Sequence, residues 1–178
     1  MRIRRATPTD VPNLARLRWA FRAEAGETPA STFDVFAARY GAFVRAGVAS
    51  GEWAYFLAEE DGAIVAHMAV HVVRSVPRPS RRGDQWGYLT DCYTAPEWRG
   101  RGVGAALLSR VTAWARGKDL ELVLVSPSER SRAFYARAGF EDARDFMALR
   151  LRGWDDAPAA DAASGRDAAG EDDAAGQE

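Results

Sequence analysis

Residues 93–108 read Tyr-Thr-Ala-Pro-Glu-Trp-Arg-Gly-Arg-Gly-Val-Gly-Ala-Ala-Leu-Leu, and no other segment limits the fold so tightly. A strand stopped by Pro96 runs into a turn with glycine at every second position, and the turn runs into an apolar helix. Gly100, Gly102 and Gly104 permit positive φ and a close approach of backbone to a ligand. A helix start presents free N–H groups and the positive end of its dipole. Together these predict an anion site, typically for phosphate, with Arg99 and Arg101 adding charge. The plainer alternative is a tight turn that needs glycine for packing only.

Two common phosphate motifs do not fit. A P-loop requires Gly-Lys-Ser/Thr after the turn, and none follows. The dinucleotide pattern G-x-G-x-x-G/A is met by Gly100, Gly102 and Ala105, but that motif belongs in the first strand-to-helix turn of a parallel fold. Here several strands and two helices come first.

Hydrophobic periodicity supplies the rest of the order. Ile3 opens a short strand. Val11, Leu14, Leu17 and Phe21 mark a helix ending near Gly26. Phe33, Phe36, Tyr40 and Phe43 mark a second, ending between Gly47 and Gly51. Residues 52–60 and 63–76 read as an antiparallel pair joined at Asp61-Gly62. Residues 86–94 form the next strand and 102–116 a helix. Residues 120–125 form a strand whose apolar run suits a buried parallel position. Residues 128–138 form a last helix, and Phe140 with residues 146–151 the final strands. The fold class is α/β (α+β), with a mixed, mostly antiparallel sheet and one strand–helix–strand crossover.

The chain has 178 residues with 24 basic and 25 acidic side chains, but the near-neutral total hides two unlike parts. Residues 155–178 carry −7 and residues 1–154 carry +6. From Trp154 onward Ala, Gly and Asp dominate without period, the composition of a disordered acidic tail. The expected division is a folded domain over 1–153 and a tail over 154–178. Arginine supplies 23 of the 24 bases, which a GC-rich bacterial genome explains without function. A single cysteine, Cys92, excludes an internal disulfide framework. With no signal-peptide pattern and no apolar run of membrane-spanning length, a soluble cytoplasmic protein is expected.

Arg99-x-x-Gly102-x-Gly104 resembles the R/Q-x-x-G-x-G/A acyl-CoA-binding turn of the GNAT superfamily of N-acyltransferases. Thr94-Ala-Pro-Glu-Trp-Arg-Gly100 is similar to that family's V-x-P-x-x-R-G strand end. Residues 128–140, Ser-Glu-Arg-Ser-Arg-Ala-Phe-Tyr-Ala-Arg-Ala-Gly-Phe, are similar to its N-x-x-A-x-x-x-Y-x-x-x-G-F helix. The order of elements agrees too, and the resemblance covers roughly residues 1 to 151.

The resemblance implies helices on both faces of the sheet and fourth and fifth strands that splay apart. Acetyl-CoA, a co-substrate, would lie in that gap, its pantetheine pairing like an added strand with Cys92, Tyr93 and Thr94. The pyrophosphate would sit on Arg99, Gly100, Arg101, Gly102, Val103, Gly104 and Ala105. Implied too is N-acetyl transfer to a primary amine by direct attack on the thioester, needing a neutral amine, a stabilised oxyanion and a protonated leaving thiolate. Backbone N–H groups near Thr94 are oxyanion candidates. Tyr135 aligns with the family's tyrosine and is the expected general acid, since a phenol of pKa about 10 holds its proton at neutral pH. The chain has Ser128 where the family has Asn, which shortens the reach toward pantetheine from Ser128 or Ser131.

Asp91, one residue before the pantetheine stretch, is the candidate general base through a water. Glu24 and Glu27 lie where relatives shape the acceptor pocket, and are candidates to hold a cationic acceptor. His67 and His71 share a strand face about 13 Å apart, too far for joint metal ligation, so no metal site is expected and His67 is read as lining the acceptor cavity. The loop holding Arg74, Arg78, Arg81 and Arg82 attracts CoA or an acidic acceptor, and weighs against a highly cationic one such as an aminoglycoside. The expected partner is a small-molecule or peptide amine, with no nucleic acid and no membrane; a homodimer is compatible with this. The rival reading is a non-catalytic acyl-CoA sensor, against which Tyr135 speaks.

Overall fold

In the computed structural model, residues 1–80 and 83–149 of the chain are described. Arg2–Arg5 form β1, and a 3-10 turn at Pro8–Asp10 leads into α1, Val11–Glu24. Then follow α2 (Phe33–Ser50), β2 (Trp53–Glu60), β3 (Ala63–Arg74) and β4 (Gln85–Thr94). A second 3-10 turn at Pro96–Trp98 precedes α3 (Val103–Gly117), β5 (Val123–Val125) and α4 (Glu129–Arg137). The strands lie side by side in chain order. β1 to β4 are antiparallel, while β5 joins β4 in parallel, as a helical crossover demands. The β2–β3 hairpin turns on Asp61 and Gly62, both at positive φ, the conformation a two-residue turn of right-twisted strands requires.

Alternation along β2 divides the core. Ala54, Phe56 and Ala58 face α3, packing with Leu107, Leu108 and Val111. Tyr55 and Leu57 face the other way, onto Val11 and Leu14 of α1 and Val44 of α2. The period of two thus gives one strand two apolar faces, and a helical layer covers each. The mixed, mostly antiparallel sheet with helices on both faces agrees with the sequence reading.

Residues Met1–Asp145 make one unit and a second begins at Phe146. The final strands expected at Phe140 and residues 146–151 are not found in the described part: residues 140 and 146–149 are neither helix nor strand. Phe140 instead spends its ring on the core, 5.6 Å from Tyr135. The strand expected over 120–125 is shorter, beginning at Val123, because Leu120 N–H still bonds the Ala115 carbonyl at the end of α3. Arg81, Arg82, residues 150–153 and the expected tail over 154–178 lie outside the described residues. Among the described residues no helix is long and apolar enough to cross a membrane.

The entry of the chain into α1 is fixed by charge. Arg4 donates from Nη1 and Nη2 to the two oxygens of Asp10 at 2.7 and 2.8 Å, and from Nε to Glu59 at 2.9 Å. Thr7 adds its backbone N–H at 2.7 Å and its hydroxyl at 2.8 Å. Asp10 is buried. The hydrogen bonds from Arg4 outweigh the opposing effect of burial, and with Thr7 they hold the carboxyl well below the usual carboxylate range. A folded-state pKa lowered in this way stabilises the fold fully above the unfolded value of about 3.9, and the gain is lost as pH falls from there toward the folded value. Asp10→Asn should therefore cost about 2–3 kcal/mol at pH 7, read by urea unfolding, and the gap from wild type should narrow steadily as pH falls below about 4.

Candidate active site

β4 and β5 pair only over Gly87–Leu89 and Val123–Val125, so β4 runs on from Thr90 to Thr94 without β5 beside it. On its other side β4 changes register. His67 pairs with Tyr93 and Ala69 with Thr90, so Met68 alone stands opposite both Asp91 and Cys92. This is a β-bulge, which bends a strand and re-aims its side chains. Asp91 carries it at φ 51°, a conformation that aspartate tolerates better than most residues with a Cβ.

The bulge sends its two side chains to opposite sides. Asp91 turns toward α1 and α2: Arg18 Nη1 donates to Oδ1 at 2.9 Å and the Tyr40 hydroxyl to Oδ2 at 3.1 Å. His67 Nε2 lies 3.1 Å from Oδ1, but its direction completes no hydrogen bond, and Nδ1 has no partner. Burial opposes charge on Asp91, yet His67 and Arg18 more than compensate and keep its proton affinity far below the ordinary range. Asp91 is thus a fixed anion and a poor proton acceptor. Cys92 turns the other way, into the cluster that holds Tyr135. Burial pushes its thiol up to about 12, with the Tyr135 hydroxyl beside it opposing the shift. Tyr135 is itself buried, wedged edge-on between Phe134 and Phe140 with ring centroids 5.0 and 5.6 Å away. Burial, then the Cys92 sulfur, holds its hydroxyl above the ordinary phenol value.

Beyond Thr94 the glycine turn has the form its residues require. Gly100 and Gly102 take φ 73° and 79°, which side-chain-bearing residues adopt only at a cost. Nothing lies within 4 Å of where a Cβ would stand at either, so the space over the turn is open. Gly102 caps α3, which leaves the N–H groups of Val103, Gly104 and Ala105 in the first turn without intrahelical acceptors. Gly104 is already helical and a Cβ there would meet Phe134 and Thr94 at ordinary contact distance. Open space, aligned donors and an unpaired strand edge fit the diphosphate and pantetheine of an acyl-CoA.

A cavity of about 210 Å³ lies where β4 is open, lined by Phe21, Glu24, Ala25, Cys92, Tyr93, Thr94, Arg99 and Arg130. The structure thus brings Glu24 together with the three expected pantetheine-pairing residues and the motif arginine. Arg101 stands apart from this cavity, 5.3 Å over the Trp98 ring. Glu27 is not in its lining and pairs with Arg22. Ser128 precedes α4 but gives no side-chain cap; its hydroxyl and that of Ser131 lie 3.0 Å apart, and Ser131 donates to the Ser128 carbonyl. The expectation for His67 is corrected. It is fully buried, is absent from the cavity lining and touches Asp91 instead. His71 stacks on Trp53 at 4.7 Å.

Three residues escaped the sequence reading. Arg18, Tyr40 and Arg130 join the site only in the fold. Arg18 left a trace, since it interrupts the apolar stripe of α1 between Leu14 and Phe21, where a charge needs a partner. Tyr40 sits in an aromatic stripe that reads as core, and Arg130 is one of many arginines.

Comparison with known proteins agrees with this geometry. The sequence model of the Acetyltransferase (GNAT) family matches residues 14–140. An aminoglycoside N(6')-acetyltransferase type 1 from Stenotrophomonas maltophilia is 31% identical over 152 residues, spanning 84% of this chain and 92% of its own. A glucosamine 6-phosphate N-acetyltransferase from Trypanosoma brucei brucei is 33% identical over 75 residues, 42% of this chain and 51% of its own. Among solved structures, a GCN5-related N-acetyltransferase from Ralstonia eutropha JMP134 superposes with TM-score 0.68 at 26% identity, covering 84% of this chain and 97% of its own. A predicted acetyltransferase with acetyl-CoA from Clostridium acetobutylicum does so with TM-score 0.72 at 23% identity, covering 84% and 96%. With its glycine turn, open β4 edge and matching family model, the chain belongs to the GNAT family of acetyltransferases and is an acetyl-CoA-dependent acyltransferase.

Proposed function

We propose that the protein acetylates the primary amine of a small molecule by direct attack, with residues 1–153 as the catalytic domain. The observation that carries this reading is the β4 bulge, which sets the Asp91 anion on one side of the strand and on the other Cys92, which lines the cavity and packs beside the protonated Tyr135 phenol of α4. When bound, acetyl-CoA supplies the activated thioester carbonyl. Cys92, Tyr93 and Thr94 offer backbone groups to its pantetheine, and the turn from Arg99 to Ala105 offers N–H groups to its diphosphate. Backbone N–H near Thr94 is the donor for the oxyanion.

Tyr135 is the general acid in this reading. Its raised pKa keeps the proton in place at any working pH, and the Cys92 sulfur beside the hydroxyl marks a position where it can face a thiol. Asp91 holds Arg18, Tyr40 and His67 and keeps a fixed negative charge behind the cavity. Its low proton affinity sends the amine's proton out through water rather than to the carboxylate. Glu24, at the cavity wall, is the counter-charge for a cationic acceptor.

Two observations pull the acceptor class in different directions. The arginines among residues 74–84 of the sequence disfavour a polycation, while the 31% identical relative is named for an aminoglycoside. The cavity itself has both signs, with Glu24 facing Arg99 and Arg130, which suits an amino sugar bearing few charges.

The deciding experiment offers acetyl-CoA with a panel of aminoglycosides, amino-sugar phosphates, polyamines, amino acids and peptide amino termini, read as free thiol released. At least one amine should release thiol stoichiometrically with acetylated product. CoA binding without release for any of them would favour the sensor. Tyr135→Phe should lower kcat about a hundredfold while leaving the KM for acetyl-CoA unchanged, and wild-type kcat should show no basic decline before about pH 10, because the phenol titrates above that. Cys92→Ala should keep kcat within a few-fold. A loss as large as that of Tyr135→Phe would point to an acyl-enzyme instead.

A further inference from the structure

The motif arginine is already engaged. Arg99 Nη1 and Nη2 donate to the two oxygens of Glu24 at 2.7 and 2.6 Å, a bidentate pair. Its Nε donates to the Thr94 carbonyl at 2.9 Å, and its guanidinium lies 5.5 Å over the Tyr93 ring. Tyr93 and Thr94 belong to the open stretch of β4, and Glu24, Tyr93, Thr94 and Arg99 all line the one cavity. Arg99 thus ties up three things at once: its own charge, a backbone acceptor on the strand edge, and the only carboxylate among the described lining residues.

Side chains of Arg99 and Glu24 are 39% and 34% exposed, so solvent screens the pair, and its bidentate geometry puts it at the upper end of what an exposed ion pair contributes. Arg99 directly precedes the glycine turn, where α3 begins and its dipole favours an anion. A diphosphate there carries more negative charge than one carboxylate.

We propose that Glu24 acts as an internal stand-in for the diphosphate: it cages Arg99 until CoA binds, Arg99 then exchanges to the diphosphate, and the exchange frees both the Thr94 carbonyl and the Glu24 carboxylate. Glu24 then becomes available to the ammonium of the acceptor only beside a filled cofactor groove. The proposal rests on the acetyl-CoA reading of the groove and adds to it a coupling between the two halves of the site. Among the described residues the charged groups facing Glu24 are Arg99 and Arg130, from the glycine turn and α4.

The test is a double-mutant cycle on CoA affinity by isothermal titration calorimetry, using the full chain with Glu24→Gln, Arg99→Ala and both. Both side chains are surface-facing, so the variants should fold, checked by thermal melts. Glu24→Gln should tighten CoA roughly two- to fivefold, the worth of an exposed ion pair. In the Arg99→Ala background the same substitution should change the affinity less than about 1.5-fold, because the competition it relieves is gone. Equal tightening in both backgrounds would mean that Glu24 merely repels phosphate through space, and would overturn the exchange; no tightening in either would overturn it too. If wild type and all variants fail to bind CoA, the cofactor reading falls and the exchange with it. If CoA binds but the cycle closes without coupling, only the exchange falls.

Discussion

Beyond Leu89 the fourth strand has lost its parallel neighbour, and two residues later it accommodates an extra residue opposite Met68. The rest of the site depends on that local irregularity. A regular strand would keep alternating inside a continuous ladder, with its edge groups paired. The bulge instead puts Asp91 into the layer under α1 and α2 and Cys92 into the layer under α3 and α4, and the splay leaves an edge free to pair with a ligand. The cost is a non-glycine residue at positive φ, held there by Arg18, Tyr40 and His67.

Two ionic clusters flank this strand and do different work because they differ in burial. Asp91 has a side chain only 10% exposed, with a wholly buried His67 and a partly buried Arg18 around it. Breaking such a group by removing one partner strands a charge, so it is a fixed element. Arg99 and Glu24 sit at the surface, where solvent screens their pair. The first kind anchors the strand from below, and the second lies at the rim of the cavity.

Much of this was legible in order along the chain. The helices followed the 3.6-residue period, the β2–β3 turn followed Asp61-Gly62, and the open turn into α3 followed the glycines at its start, because each depends on neighbours within a few residues. What failed had long-range causes. Phe140 sat in an apolar setting that reads as strand, but its ring is used by Tyr135. His67 reads as cavity lining on a half-buried strand, yet Asp91 takes it inward. Asp91 was placed on the right strand, but its depressed proton affinity comes from Arg18 and His67, 73 and 24 residues away in the chain, and no local pattern encodes that.

The sequence by itself determined the α/β order, the glycine turn and the tyrosine helix, since period, turn chemistry and short motifs act over one or two turns of chain. Only the tertiary structure decided that Asp91 is an anchored anion, that Cys92 and Tyr135 meet on the opposite face, and that Arg99 is held by Glu24. Those outcomes depend on strand register and on helix packing across the sheet, which bring together charges far apart in the chain and set which of them are buried and which face solvent.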